Sequence, residues 1–296
     1  MRIIIGNLHI VARAPNHLGD GVMAMPTLNA LAHAAGECTI LAPKWGKELY
    51  REINAEVKAP CTMTQGDVAV LFSPSFRAAW QARRIQRRVG FAGDWRTWLL
   101  TDVVRASGHR AERYMALAKA LGIEVSGSPR FIPNSMWVGE DIPQGHIGLN
   151  PISVTGDPVQ WPSFGALSRA LDEPVVVYGG PGEQRQVRDS IGDSKAKYQV
   201  GLSLNQFARA LSRCRLFISN DSGAAHFARA CGVPTLVIFV STVPHRTGPS
   251  GAFTLEGPDV RCRPCYKNMC RRNLECLEIP VQDVLERVRE ILRKTG

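Results

Sequence analysis

The chain has 296 residues, 45% hydrophobic and 21% charged, which excludes disordered and fibrous classes and is long enough for two domains of about 100–150 residues. No apolar run approaches the roughly 18 residues of a membrane span, and Met1-Arg2-Ile3-Ile4-Ile5-Gly6 has no basic and apolar leader character, so a cytosolic protein is expected. The net charge of +10 lies mainly in residues 1–138, with 17 Lys+Arg against 10 Asp+Glu, and points to an anionic partner: a nucleic acid, a membrane surface or a phosphorylated substrate.

In chain order, short apolar runs (Arg2–Ile5 or Ile10–Ala12, Thr39–Leu41, Val68–Phe72) alternate with amphipathic stretches (Met23–Ala35, and on toward Leu117–Leu121). That rhythm predicts a parallel sheet with helices on its faces. A second series begins at Ile147-Gly148-Leu149-Asn150-Pro151 and continues through Val175–Tyr178, Leu216–Ser219 and Thr235–Val240. Between the two, residues 131–144 carry Pro133, Gly139 and Pro143 without a period, the composition of a linker, and the boundary is read near 139, giving domains 1–138 and 139–296. Residues 281–294 predict an amphipathic helix whose apolar stripe must pack on a neighbour, the first domain being one open to it. The expected fold class is α/β, two Rossmann-like doubly wound domains whose strand ends face a cleft.

Three loops at predicted strand ends carry chemistry. Pro15-Asn16-His17-Leu18-Gly19-Asp20-Gly21 precedes a helix; its glycines admit close approach of a ligand, and Asp20 is either a helix cap or a base facing the cleft. Tyr178-Gly179-Gly180-Pro181-Gly182-Glu183 places an acid after a glycine turn, suited to a ribose diol. Ser219-Asn220-Asp221-Ser222-Gly223-Ala224-Ala225-His226 opens another helix, whose free N–H groups favour an anion such as a diphosphate. There Asp221 suits sugar hydroxyls or a cap, and His226, taken alone, fits a core position equally well. Neither the G-x-G-x-x-G dinucleotide fingerprint nor a G-x-x-x-x-G-K-[ST] phosphate loop occurs.

Read together and in this order, the three loops resemble glycosyltransferase family 9, the ADP-heptose:lipopolysaccharide heptosyltransferases, as do Trp161-Pro162, Arg246-Thr247-Gly248-Pro249, Gly90-Phe91 with Arg96 and Leu99-Leu100-Thr101, and Cys262-x-x-Cys265-Tyr266-Lys267. The cysteine tail is most like the heptosyltransferase II branch. The resemblance implies a GT-B fold and an inverting, metal-independent transfer of heptose from ADP-heptose to an inner-core sugar hydroxyl, with no cofactor required. It implies Asp20 as general base, and Ser153, Thr155, Glu183, Asp221, Ser222, Gly223 and His226 on the donor side. On the acceptor side it implies Asn16, Gly19, Arg77 and Arg96. The enzyme would be cytoplasmic and peripheral at the inner face of the inner membrane, with an ADP-sugar donor and a phosphorylated acceptor as partners and no nucleic acid. One departure is Val159 in Val159-Gln160-Trp161-Pro162, where the family usually carries a phosphate-contacting lysine. Another nucleotide sugar or acceptor, or a non-catalytic nucleotide-sugar-binding role, is the alternative.

From Arg77 to Arg113 nine arginines interleave with Trp80, Phe91, Trp95 and Trp98, a surface for an acidic acceptor and an anionic leaflet, or simply a solvated face. Cys262, Cys265, Cys270 and Cys276 form C-x₂-C-x₄-C-x₅-C, a spacing open to a structural zinc or to packing thiols.

Overall fold

A computed structural model describes residues 5–93, 95–134, 142–153, 160–265, 270 and 273–295. It divides into two compact units, residues 1–129 and 130–296. The division falls ahead of the boundary read near 139 because Phe131 already belongs to the second unit: its N–H donates to the Ala230 carbonyl at 2.9 Å and its ring packs 4.9 Å from that of Phe227. Residues 135–141, where that boundary was placed, lie outside the described residues.

The first unit is one parallel sheet in the order β3-β2-β1-β4-β5-β6. Its strands are β1 (His9–Arg13), β2 (Glu37–Leu41), β3 (Glu56–Lys58), β4 (Val68–Leu71), β5 (Arg87–Phe91) and β6 (Asp102–Val104). The central strands β1 and β4 are almost wholly buried, as expected of apolar runs covered on both faces. Helices α1 (Leu18–Ala34), α2 (Gly46–Leu49), α3 (Phe76–Gln81) and α4 (Arg110–Lys119) complete it. The start of α1 packs against Trp45 and Tyr50, and a side chain at Gly21 would strike the Trp45 ring, which explains glycine there.

The second unit repeats the plan in the order β12-β11-β10-β7-β8-β9. The strands are β7 (His146–Asn150), β8 (Val175–Gly179), β9 (Lys197–Val200), β10 (Cys214–Asn220), β11 (Thr235–Phe239) and β12 (Phe253–Glu256), with helices α5 (Phe164–Ala170), α6 (Gln184–Ile191), α7 (Leu204–Leu211), α8 (Gly223–Ala230), α9 (Pro244–Thr247) and α10 (Val281–Thr295). The α10 stripe (Val284, Leu285, Val288, Ile291, Leu292) lies in the second unit's own core with Trp161, Phe164 and Ile238. In both units the strand order reverses between the first and fourth strands, β1/β4 and β7/β10. The loops leaving the carboxyl ends of such a pair diverge and leave a crevice, the usual ligand site of open α/β sheets.

Candidate functional site

In the first unit Arg13, last in β1, is in register with Leu71, last in β4, so the loops that follow start side by side. Asp20 sits in the first turn of α1 and does not cap it; the cap position is His17, which makes no side-chain capping bond. Instead both Asp20 carboxylate oxygens accept from Nη1 of Arg110, at 3.0 and 3.1 Å, and Tyr114 adds a side-chain hydrogen bond. The carboxylate is 15% exposed and the guanidinium 40%. Arg110 is the first residue of α4, fixed by a capping box in which His109 accepts from Ala111 N–H and Glu112 accepts from His109 N–H. Burial is the largest single influence on the Arg110 pKa and lowers it, but the charges of Asp20 and Tyr114 and the hydrogen bonds to both together outweigh it, and the net direction is up. Burial first, and then the Asp20 charge, push the Tyr114 phenol well up, so it stays protonated and a donor. The result is an oriented carboxylate on a crevice edge, the arrangement needed to take a proton from a hydroxyl.

Of the expected acceptor residues, Asn16 is exposed and accepts from Arg13 Nη2 at 2.6 Å, Gly19 is buried in α1, and Arg77 is exposed at the start of α3. Arg96 is different. It is fully buried, with Nε and Nη2 donating to the Phe91 carbonyl and Nη1 to those of Ser73 and Ser75. A guanidinium so enclosed braces the loop after β4 and does not meet an acceptor, which corrects its expected role. The arginine run is likewise more structural than a bare charge count implies. Arg87 pairs with Asp102 at 2.9 Å, Arg88 donates to the carbonyls of Ile85, Gln86 and Leu99, and Arg113 lies over the Phe91 ring. Among the described residues the large exposed aromatics are Phe76, Trp80, Trp95 and Trp98.

In the second unit a web of neutral polar groups holds the strand ends. Asn150, last in β7, donates to the Tyr178 carbonyl and accepts from the hydroxyls of Ser219 and Ser222. Asn220, last in β10 and fully buried, donates to the Pro151 carbonyl at 2.6 Å and accepts from Trp161 N–H at 2.8 Å. Ser222 is the cap residue of α8 yet makes no side-chain capping bond, because its hydroxyl is bonded to Ser219 and Asn150. The amide N–H groups at the start of α8 are therefore left by that side chain for an anion. Asp221 accepts from the Thr247 hydroxyl on α9 at 2.9 Å, and His226 is buried within α8. Glu183 accepts from Gly180 N–H at 2.6 Å through one oxygen and, with Ser153, Gln160 and Gln186, lines a cleft of about 430 Å³. Thr155 and Val159 lie outside the described residues.

Sequence reading missed Arg110, Asn150 and the hydroxyls of Ser241 and Thr242, which are buried past the end of β11 with no hydrogen-bond partner among the described residues. Only Asn150 had a local signal, an amide closing an apolar strand. At the carboxyl end of the chain, Cys276 is buried while Cys262 and Cys270 are exposed, and burial, followed by the charges of Cys270, Cys262 and Cys265, pushes the Cys276 thiol up. Among the described residues no three His, Cys, Asp or Glu side chains form a group able to hold a metal ion; residues 266–269 and 271–272 lie outside them.

The sequence model of glycosyltransferase family 9 (heptosyltransferase) matches residues 62–274. Lipooligosaccharide heptosyltransferase 2 of Haemophilus ducreyi is 24% identical over 302 aligned residues, covering 82% of this chain and 86% of that protein. Among solved structures, the E. coli ADP-heptose LPS heptosyltransferase II has a TM-score of 0.75 at 20% identity, over 97% of this chain and 99% of its own. A family 9 glycosyltransferase from Veillonella parvula has a TM-score of 0.77 at 19% identity, over 99% of both chains. At these identities the two structures speak for the fold, and they bear out the GT-B class.

Proposed function

Because the chain belongs to glycosyltransferase family 9, we propose that it transfers heptose from ADP-heptose to a sugar hydroxyl of the lipopolysaccharide inner core, with inversion at the anomeric carbon and without a metal. The observation that carries this reading is Asp20, held by Arg110 on the crevice edge and free of any capping task. Asp20 takes the acceptor proton as the acceptor oxygen bonds to the anomeric carbon and the bond from that carbon to ADP breaks. The electron pair leaves on the β-phosphate, where the N–H groups of Ser222 and Gly223 and the α8 dipole meet the charge. Glu183 holds the ribose and Asp221 the donor hydroxyls, with His226 behind them. The E. coli structural relative, an ADP-heptose LPS heptosyltransferase, supports the donor class.

The test is a transfer assay with ADP-heptose and a deacylated inner-core acceptor, with chelator present. Turnover that disappears in Asp20→Asn while ADP still binds supports the reading; absence of turnover in the wild-type chain sinks it, and loss of both properties in the variant reduces Asp20 to a structural residue. Val159, in place of the usual lysine, favours a second reading in which another nucleotide sugar is the donor. Calorimetric titration with ADP-heptose, ADP and UDP-sugars separates the two. No helix among the described residues is long and apolar enough to cross a membrane. Contact with the anionic inner leaflet is part of the proposal, supported by exposed Phe76 and Trp80 stacked on α3 with Arg83 over the Trp80 ring. Co-sedimentation with phosphatidylglycerol vesicles but not with phosphatidylcholine, reversed by salt, is the expected outcome.

A further inference from the structure

Two stretches that stand out in the sequence, Arg246-Thr247-Gly248-Pro249 and Cys262-x-x-Cys265, meet on one loop of the second unit, residues 240–252 between β11 and β12. The second stretch ties down the near end of that loop. Arg263, between the two cysteines, has a side chain only 9% exposed and reaches three segments at once. Its Nη1 donates to the Gly257 carbonyl at 2.9 Å, and its Nη2 to the carbonyls of Thr242 at 3.2 Å and Phe239 at 3.4 Å. Its charge is met by Glu256, last in β12, which accepts from Nη2 at 2.6 Å. Cys265 N–H adds a bond to the Ser241 carbonyl at 2.7 Å. The far end of the loop is held from α8, where Arg229 Nε donates to the Ser250 carbonyl. Between these anchors lies Thr247, whose hydroxyl donates to Asp221 Oδ2 at 2.9 Å.

We propose that Arg263 is a positioning residue for the sugar half of the donor: it fixes the loop after β11, so that Thr247 holds the Asp221 carboxylate turned for donor hydroxyls. A carboxylate just past a strand end has several staggered rotamers, and one hydrogen bond from a fixed hydroxyl selects among them. The hydroxyl can do this only if its own loop is already ordered, because ordering a loop at the moment of binding costs affinity. A guanidinium suits the task, since its planar fork of donors serves several carbonyls together. The loop is gripped by its backbone and not by its first side chains: the buried hydroxyls of Ser241 and Thr242 have no partner among the described residues, while both their carbonyls are bonded. Under the transferase reading above, α8 and Glu183 meet the nucleotide half, so Arg263 bears on the sugar alone. Naming that sugar heptose rests on the same reading; the linkage from Arg263 to Asp221 does not.

The experiment is calorimetric titration of the full-length chain, without acceptor, with ADP, ADP-heptose, UDP and UDP-glucose. It compares the wild type with Arg263→Gln, Arg263→Lys, Thr247→Val and the double variant Arg263→Gln/Thr247→Val. Arg263→Gln should weaken binding of the nucleotide sugar about 10-fold, the loss expected of one charge-assisted hydrogen bond at Asp221, and leave binding of the bare nucleotide unchanged. Thr247→Val should do the same, and the double variant should lose no more than either single one, because both break one linkage. Arg263→Lys, which keeps the charge against Glu256, should recover part of the loss. Unchanged nucleotide affinity also shows that a variant is folded. Should Arg263→Gln fail to fold, Glu256→Gln, at an exposed position, takes its place with the same expectation in smaller measure. Unaltered nucleotide-sugar affinity, an equal loss for nucleotide sugar and bare nucleotide, or losses that multiply in the double variant would each overturn the proposal. A wild type that binds UDP-glucose and not ADP-heptose removes the heptose reading alone, and the same variants then test Arg263 on that sugar. A wild type that binds neither nucleotide sugar overturns both.

Discussion

The two units share one strand order but carry different chemistry where that order reverses. At the reversal point of the first unit the side chains are charged: the Asp20–Arg110 pair, with Arg13 and Arg77, which form no ion pair among the described residues. At the matching point of the second the groups are neutral, Asn150, Ser219, Asn220 and Ser222, with the amide end of α8. Under the proposed transfer, the first point would take up a proton, which needs a titratable group, and the second would hold a nucleotide diphosphate by fixed dipoles, which are already oriented and lose no ionic hydration when a ligand arrives.

That contrast gives a series of expected effects. Asp20→Asn should lower kcat by about 10²–10⁴-fold, the usual worth of a general base, with little change in melting temperature. Asn220→Ala should do the reverse, since it strands the Trp161 N–H and the Pro151 carbonyl; about 2–4 kcal/mol of stability should be lost in urea denaturation, from two unsatisfied buried groups. Gly223→Pro should weaken ADP binding by about 10-fold or more in calorimetry, because proline fits the first position of a helix and removes only the N–H. Gly223→Ala, which keeps the N–H, is its control. The smallest effect concerns pH. Burial, and next to it Arg213, lower the His146 pKa below its ordinary 6.5 despite the bond to the Pro143 carbonyl. The unfolded chain then binds a proton on His146 that the native chain refuses, so stability falls as pH drops below about 6.5. Thermal melts between pH 7.5 and 5 should show this slope, flattened in His146→Gln.

The alternation of apolar runs was enough to place both sheets, because buried parallel strands leave a strong pattern in sequence. The three loops stood out by their glycines and their acids; Glu183 lines a cleft and Asp20 lies in the first turn of α1. What was not legible were partners set by tertiary contact. Arg110 is separated from Asp20 by 90 residues and reads locally as the start of a helix. Among nine arginines, composition does not distinguish Arg96, turned inward onto three carbonyls, from Arg77, turned out. Arg13 ends an apolar strand, where its charge reads as the strand's border, yet it is buried with no ion pair among the described residues.

The separation of 90 residues between Asp20 and Arg110 also bears on how the protein is made. During synthesis α1 and β1 leave the ribosome long before α4, and at ordinary elongation rates of about 5–20 residues per second the carboxylate waits several seconds for its partner. Through that interval the Asp20 carboxylate lacks its ion-pair partner. It acquires that partner only once the chain has been extended past the last strand of the first sheet, so a truncated product ending before α4 would carry the signature loop without the arginine that orients its carboxylate.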